Sequence, residues 1–246
     1  MTIVLRCAAI GIALGFCVPA AARTTLQLEV LAATQQRNRV QAPNDASATR
    51  FALDDLTGDG PFYTARVEAG FRLRERQEWR VLVQPLTVDE PGALATAVRF
   101  QGATFAAGPV DAKYRFDSYR VGWRWLWIDR PALTVRLGAT AKLRDAEIEL
   151  RQGNLRARKS NTGFVPLAHA SFERRFGARG FIAGDIDALG GGPGYAIDAG
   201  LYAGRALSDQ WSAYAGLRFL DGGADNDEVY TFARFTSAAV GLRYRW

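Results

Sequence analysis

Apolar and polar residues alternate along most of the chain. Between Tyr63 and Arg74 one set of alternate positions reads Tyr63, Ala65, Val67, Ala69, Phe71, Leu73, and the other reads Thr64, Arg66, Glu68, Gly70, Arg72, Arg74. Near residue 246, Ala238, Val240, Leu242, Tyr244 and Trp246 interleave with Ser237, Ala239, Gly241, Arg243 and Arg245. A period of two belongs to an extended strand with unlike faces, whereas a helix repeats at three and four. Runs of this kind predict ten strands, at about 25–34, 62–74, 79–88, 112–127, 132–152, 162–175, 180–189, 195–206, 210–220 and 229–246. The connections differ in length, short near 75–78, 128–131, 176–179 and 206–209, and generally longer at 35–61, 89–111, 153–161, 190–194 and 221–228. An even number of strands with short turns at one end and longer loops at the other predicts an all-β fold, a single antiparallel up-and-down barrel. Miscounting one hairpin at the short 190–194 connection gives eight strands instead.

Alternation does not say which face is outside, because a soluble barrel alternates with its apolar face inward. The tryptophans decide for a transmembrane barrel. Trp79, Trp125, Trp127, Trp211 and Trp246 stand at strand ends beside the short turns or the last residue, all on the apolar phase. Indole rings prefer the level of the lipid headgroups, where membrane barrels carry aromatic girdles. The opposite phase carries Arg66, Arg72, Arg80, Arg120, Arg124, Arg136, Arg144, Arg205, Arg218 and Arg243, with Glu68, Asp185, Asp187 and Asp198 as carboxylates. Enclosed in a narrow lumen, these groups require mutual pairing.

The two ends of the sequence agree with an exported barrel. Residues 1–22 combine Arg6, an apolar run from Cys7 to Val18 and the small residues Ala20, Ala21 and Ala22. This predicts a signal peptide over 1–22, with the barrel occupying 23–246. The final run, Val240-Gly241-Leu242-Arg243-Tyr244-Arg245-Trp246, resembles the C-terminal strand of bacterial outer-membrane β-barrel proteins. That resemblance implies a place in the outer membrane, contact with its lipid and lipopolysaccharide, and recognition by the barrel assembly machinery.

Composition narrows the chemistry. Both cysteines of the chain, Cys7 and Cys17, fall in the predicted signal peptide, and His169 is the only histidine. Thiol catalysis, disulfides and an ordinary zinc site are therefore not expected, and no cofactor is. The formal net charge is +6, but arginine is dispersed rather than gathered beside stacking aromatics, so nucleic acid is not an expected partner.

Several groups remain as candidate sites. His169 and Ser171, two apart, share one face of a strand. They lie on the inward phase, and a tight turn at 176–179 puts them across from Asp185 or Asp187. Ser171, His169 and Asp185 are the candidate nucleophile, base and acid. The His-x-Ser pair is similar to that of outer-membrane lipid A deacylases, which implies, as the alternative to a non-enzymatic role, an acyl hydrolase acting on lipid A or phospholipid. Arg156, Arg158 and Lys159 are candidates to meet lipopolysaccharide phosphates. Asp221, Asp225, Asp227 and Glu228 offer hard oxygen donors in no recognisable calcium-loop spacing. Pro85 and Pro166 predict bulges or gaps in strand pairing near the outer leaflet. The leading expectation is a non-enzymatic outer-membrane barrel with a structural, surface-interaction or narrow-channel role.

Overall fold

The computed structural model describes residues 23–246; the predicted signal peptide lies outside them. Fourteen strands and one short helix follow in order: β1 (Arg23–Gln41), β2 (Phe51–Ala52), α1 (Asp54–Thr57), β3 (Phe62–Arg74), β4 (Gln77–Gln84), β5 (Thr87–Leu94), β6 (Val98–Phe100), β7 (Ala103–Phe105), β8 (Gly108–Arg130), β9 (Leu133–Gln152), β10 (Leu155–Phe176), β11 (Gly180–Gly191), β12 (Gly194–Ala206), β13 (Trp211–Asn226) and β14 (Val229–Arg245). Antiparallel neighbours run from β14 back through β8 to β4, β3 and β1, and β1 pairs with β14. β4 and β5 both pair with β8 and together form one stave. The result is a closed barrel of ten staves, and the eight-strand alternative does not occur.

The outward face is the one expected. Trp79, Trp125, Trp127, Trp211 and Trp246 are 39–61% exposed at the short-turn end, and Leu28, Val30, Val67, Val121, Leu201, Leu217 and Val240 form an exposed apolar band above them. Arg205 departs from expectation: it is exposed, one position out of phase with inward Tyr202 and Asp198, and lies on the outer rim.

The strands reach well beyond that band. β8, β9 and β10 contain 23, 20 and 22 residues, whereas roughly 9–11 tilted residues cross a bilayer. The expected loops 153–161, 190–194 and 221–228 are mostly strand, closed by turns at residues 153–154, 192–193 and 227–228. Above the band the polarity of the two faces exchanges without a change of register. On β9, Leu143 faces lipid; further up, Ile148 and Leu150 point inward while Glu147 and Glu149 point outward. On β8, Tyr119 and Val121 are outside but Val110, Ala112 and Tyr114 are inside. Water replaces lipid as the outer solvent at this height, so the wall becomes that of a soluble barrel.

The two long connections fill the apolar upper chamber. Phe51, Leu53 and Leu56 from residues 42–61, and Val98, Phe100 and Phe105 from residues 95–107, join Val88, Tyr114, Leu150 and Phe235 in one buried cluster. The two connections also hold each other, through Thr49 N to Arg99 O at 2.8 Å, Gln101 N to Ala42 O at 2.9 Å and an edge-to-face contact of Phe51 on Phe100. Gly92 of β5 permits the closest approach: a Cβ there would stand 2.2 Å from the Leu56 carbonyl oxygen.

The prolines act differently. Pro85 separates β4 from β5, and β3–β4 pairing ends at Val67 opposite Val83. Pro166 keeps its place opposite Ala141 on β9, and its other edge lies beyond the β10–β11 ladder, which begins at Ala168. Its missing N–H thus faces an edge with no ladder to break.

Candidate functional site

Below the apolar chamber the inward residues are charged and matched. Arg66, Arg80, Arg120, Arg124 and Arg218 interleave with Glu29, Glu68, Asp185, Asp187 and Asp198, five of each sign. Arg80 of β4 reaches across the lumen to Asp187 of β11, four staves away, and both side chains are 0% exposed. Asp187 also accepts from Arg120 at 2.8 Å and from the Thr140 hydroxyl at 2.9 Å. Glu68 is held by Arg66, Arg80 and Arg124 at 3.0–3.3 Å. Arg218 spans Asp198 and Asp185 at 2.6 and 2.9 Å. A buried ion network of this kind is favourable only when its members are mutually satisfied, and each of these five arginines has a carboxylate partner; Lys142, buried on the same inward face, lies 4.6 Å from the Phe116 ring centroid and forms no ion pair among the described residues.

His169 lies inside this layer. Register sets it opposite Asp187 and sets Ser171 opposite Asp185. Nδ1 is 2.8 Å from Asp187 Oδ1, and Nε2 is 3.2 Å from Ser171 Oγ. Asp187 can only accept, so in the neutral ring Nδ1 carries the proton and Nε2 accepts from the serine hydroxyl, while Arg80 Nη2, 3.1 Å from Nδ1, donates to Asp187. The acid beside His169 is thus Asp187. Asp185, the acid singled out from the sequence, is turned toward Arg218 instead. Ser171 faces the lumen below the network rather than the bilayer.

The remaining sequence candidates do not converge. Arg156 and Arg158 lie on β10 rather than in a loop, where each meets a carboxylate of β9: Arg156 with Glu149 at 2.7 Å, Arg158 with Glu147 at 3.5 Å. Lys159, on the opposite phase, bonds Glu228 at 3.1 Å, tying β10 to the β13–β14 turn. The three cations therefore form no single patch. Asp221 is occupied by Arg37 and Arg234, each at 2.8 Å, and by the Tyr195 hydroxyl at 3.1 Å. Among the described residues no cluster of His, Asp and Glu has metal-binding geometry.

A cavity of about 510 Å³ lies beneath the charge network and opens at the short-turn end. Its mouth holds a feature that alternation alone did not reveal. Glu173 accepts from Arg243, from Arg245 at 3.0 Å and from Arg175 at 3.0 Å, and Glu78 accepts from Arg72 at 2.9 Å and Arg136 at 2.5 Å. Arg72, Arg136 and Arg243 sit on their expected face, but Glu78 falls in the connection expected at 75–78, and only the register shows how many arginines share one carboxylate.

Closed pairing, an outward apolar band and an aromatic girdle at the turn end define an outer-membrane β-barrel protein, with the short turns and the cavity mouth on the periplasmic side. No family model matches the chain and no curated protein matches it. Solved structures with a similar fold include Neisserial surface protein A (NspA), 11% identical, TM-score 0.39, covering 91% of this chain and 97% of that one. They include Ail, the attachment invasion locus protein of Yersinia pestis, in complex with the heparin analogue sucrose octasulfate, 10% identical, TM-score 0.41, covering 92% and 99%. The translocator domain of the autotransporter NalP from Neisseria meningitidis is 14% identical, with a TM-score of 0.38, covering 94% and 90%.

Proposed function

We propose that the chain is a non-enzymatic, lumen-sealed outer-membrane barrel that acts through its surfaces rather than by passing solutes. The observation that carries this reading is the fully buried Arg80–Asp187 contact across the lumen. On this reading the contact blocks the path for ions, and His169, which shares Asp187 with Arg80, is one more member of a structural network. The tall β8–β10 wall then forms the exposed part of the molecule. There Arg115 bridges Asp117 and Asp145, which face each other across the ladder, at 3.1 and 2.6 Å. Like charges directly opposite destabilise a sheet unless a cation intervenes. Contact with lipopolysaccharide belongs to this reading, through the outward Arg156 and Arg158 with their carboxylate partners, above the leaflet at the height of its saccharide chain.

One observation favours a second reading. Serine, histidine and acid are in series, with Asp187 holding Nδ1 and Ser171 on Nε2, as an acyl hydrolase requires. Incubating purified protein with lipid A and with phospholipid, and measuring acyl-chain release, separates the two. The non-enzymatic reading expects no release from either lipid. Release that disappears in Ser171→Ala would establish the hydrolase instead.

A further inference from the structure

Cations outnumber carboxylates most at one end of the barrel. In the middle layer five arginines and the buried Lys142 face five carboxylates. At the periplasmic mouth Arg72, Arg136, Arg175, Arg243 and Arg245 share, among the described residues, Glu78 and Glu173, and Asp129, 3.5 Å from Arg72, is offset by Arg130 beside it in the wall. One carboxylate offers four lone-pair directions, while each guanidinium carries five N–H donors. Glu173 is therefore saturated while the arginines around it keep donors to spare. Deeper in the same cavity, the Nε groups of Arg66 and Arg124 are buried without an acceptor among the described residues. The surplus is of positive charge and N–H donors, in a concave space of about 510 Å³ whose lining reaches the short-turn end at Pro131, Arg175 and Trp246. Such a cleft focuses its field and concentrates anions, and paired guanidinium groups match the geometry of carboxylate and phosphate.

We propose that this vestibule binds a small periplasmic ligand bearing phosphate or several carboxylates, held chiefly by Arg243 and Arg245 on one wall and Arg72 and Arg136 on the other. The site needs no passage through the barrel, so it stands apart from the surface role above. It gives the sealed barrel a second, inward-facing function as an oxyanion receptor. Tyr202 and Tyr214 line the inner end of the same space, where their hydroxyls donate to Glu29.

The test uses the full mature chain in detergent micelles at low salt, titrated calorimetrically with sodium pyrophosphate and, separately, with sodium citrate. Saturable binding of at least one of them is expected. Arg243→Gln with Arg245→Gln should weaken it by about tenfold, the loss of a bidentate contact. Arg205→Gln, on the outer rim, should leave it unchanged. Glu173→Gln should tighten it by releasing three guanidinium groups, an effect opposite to that of a purely structural cluster. Binding of neither salt beyond a sodium chloride control, or equal loss in Arg205→Gln and the double variant, would overturn the proposal. Should the double variant not fold, thermal unfolding of the parent protein decides: a higher midpoint in pyrophosphate than in chloride of equal ionic strength supports the site, and equal midpoints overturn it.

Discussion

At the residue scale the network is a problem of shared acceptors. Asp187 serves Arg80, Arg120, His169 and Thr140 together, so its loss leaves several buried donors unmatched. Asp187→Ala should therefore lower stability by about 3–5 kcal/mol, the range for breaking a buried ion pair. Asp185→Ala should cost distinctly less, because Arg218 keeps Asp198 at 2.6 Å. Ser171→Ala removes a single partly buried bond and should cost about 1 kcal/mol. Denaturant titrations of the three variants refolded into lipid vesicles give the order directly. An Asp185→Ala variant as weak as Asp187→Ala would show that the charges do not divide as the contacts indicate.

At the element scale, solvent on each side of the wall governs what a strand position wants. Val67 is exposed on the lipid face, and Val67→Arg should cost about 2–4 kcal/mol. Thr64→Arg, on the inner phase nearer the rim, should be milder in the same titration. Where two elements meet, Gly92→Ala would drive a Cβ into the Leu56 carbonyl and push α1 off β5. Limited proteolysis should then cut residues 42–61 faster than in the parent, while the strands below stay protected; an unchanged rate would mean that α1 does not rest on β5. The strands and their phases were legible because alternation reports a two-faced wall directly. Their length was not, since Ile148 and Leu150 look like lipid-facing residues until the parity shift after Leu143 is noticed. That shift, repeated on β8 between Tyr119 and Tyr114, is the signal that the wall has left the membrane. His169 and Ser171 could be assigned to one face, but choosing Asp187 over Asp185 needed the register of the 176–180 turn. The crowding of arginines on Glu173 depends on strands distant in sequence, and no local pattern carries it.

At the scale of the whole molecule the barrel is closed twice, by an ion-paired layer in the membrane and by an apolar plug above it. The two closures have different chemistry. Salt screens exposed charges but reaches buried pairs poorly, and the plug is held by apolar burial that salt does not weaken. Both seals should therefore survive high ionic strength together. The aromatic girdle and the long β8–β10 wall fix the depth of the barrel, leaving a cationic vestibule on one side and a charged rampart on the other. The most direct test of this account is single-channel recording of the purified parent chain in a planar bilayer in 1 M potassium chloride. The account predicts insertion without discrete conductance steps at either polarity. Stable, reproducible steps of uniform size would contradict it, because ions would then be passing a lumen that Arg80 and Asp187 are held to close.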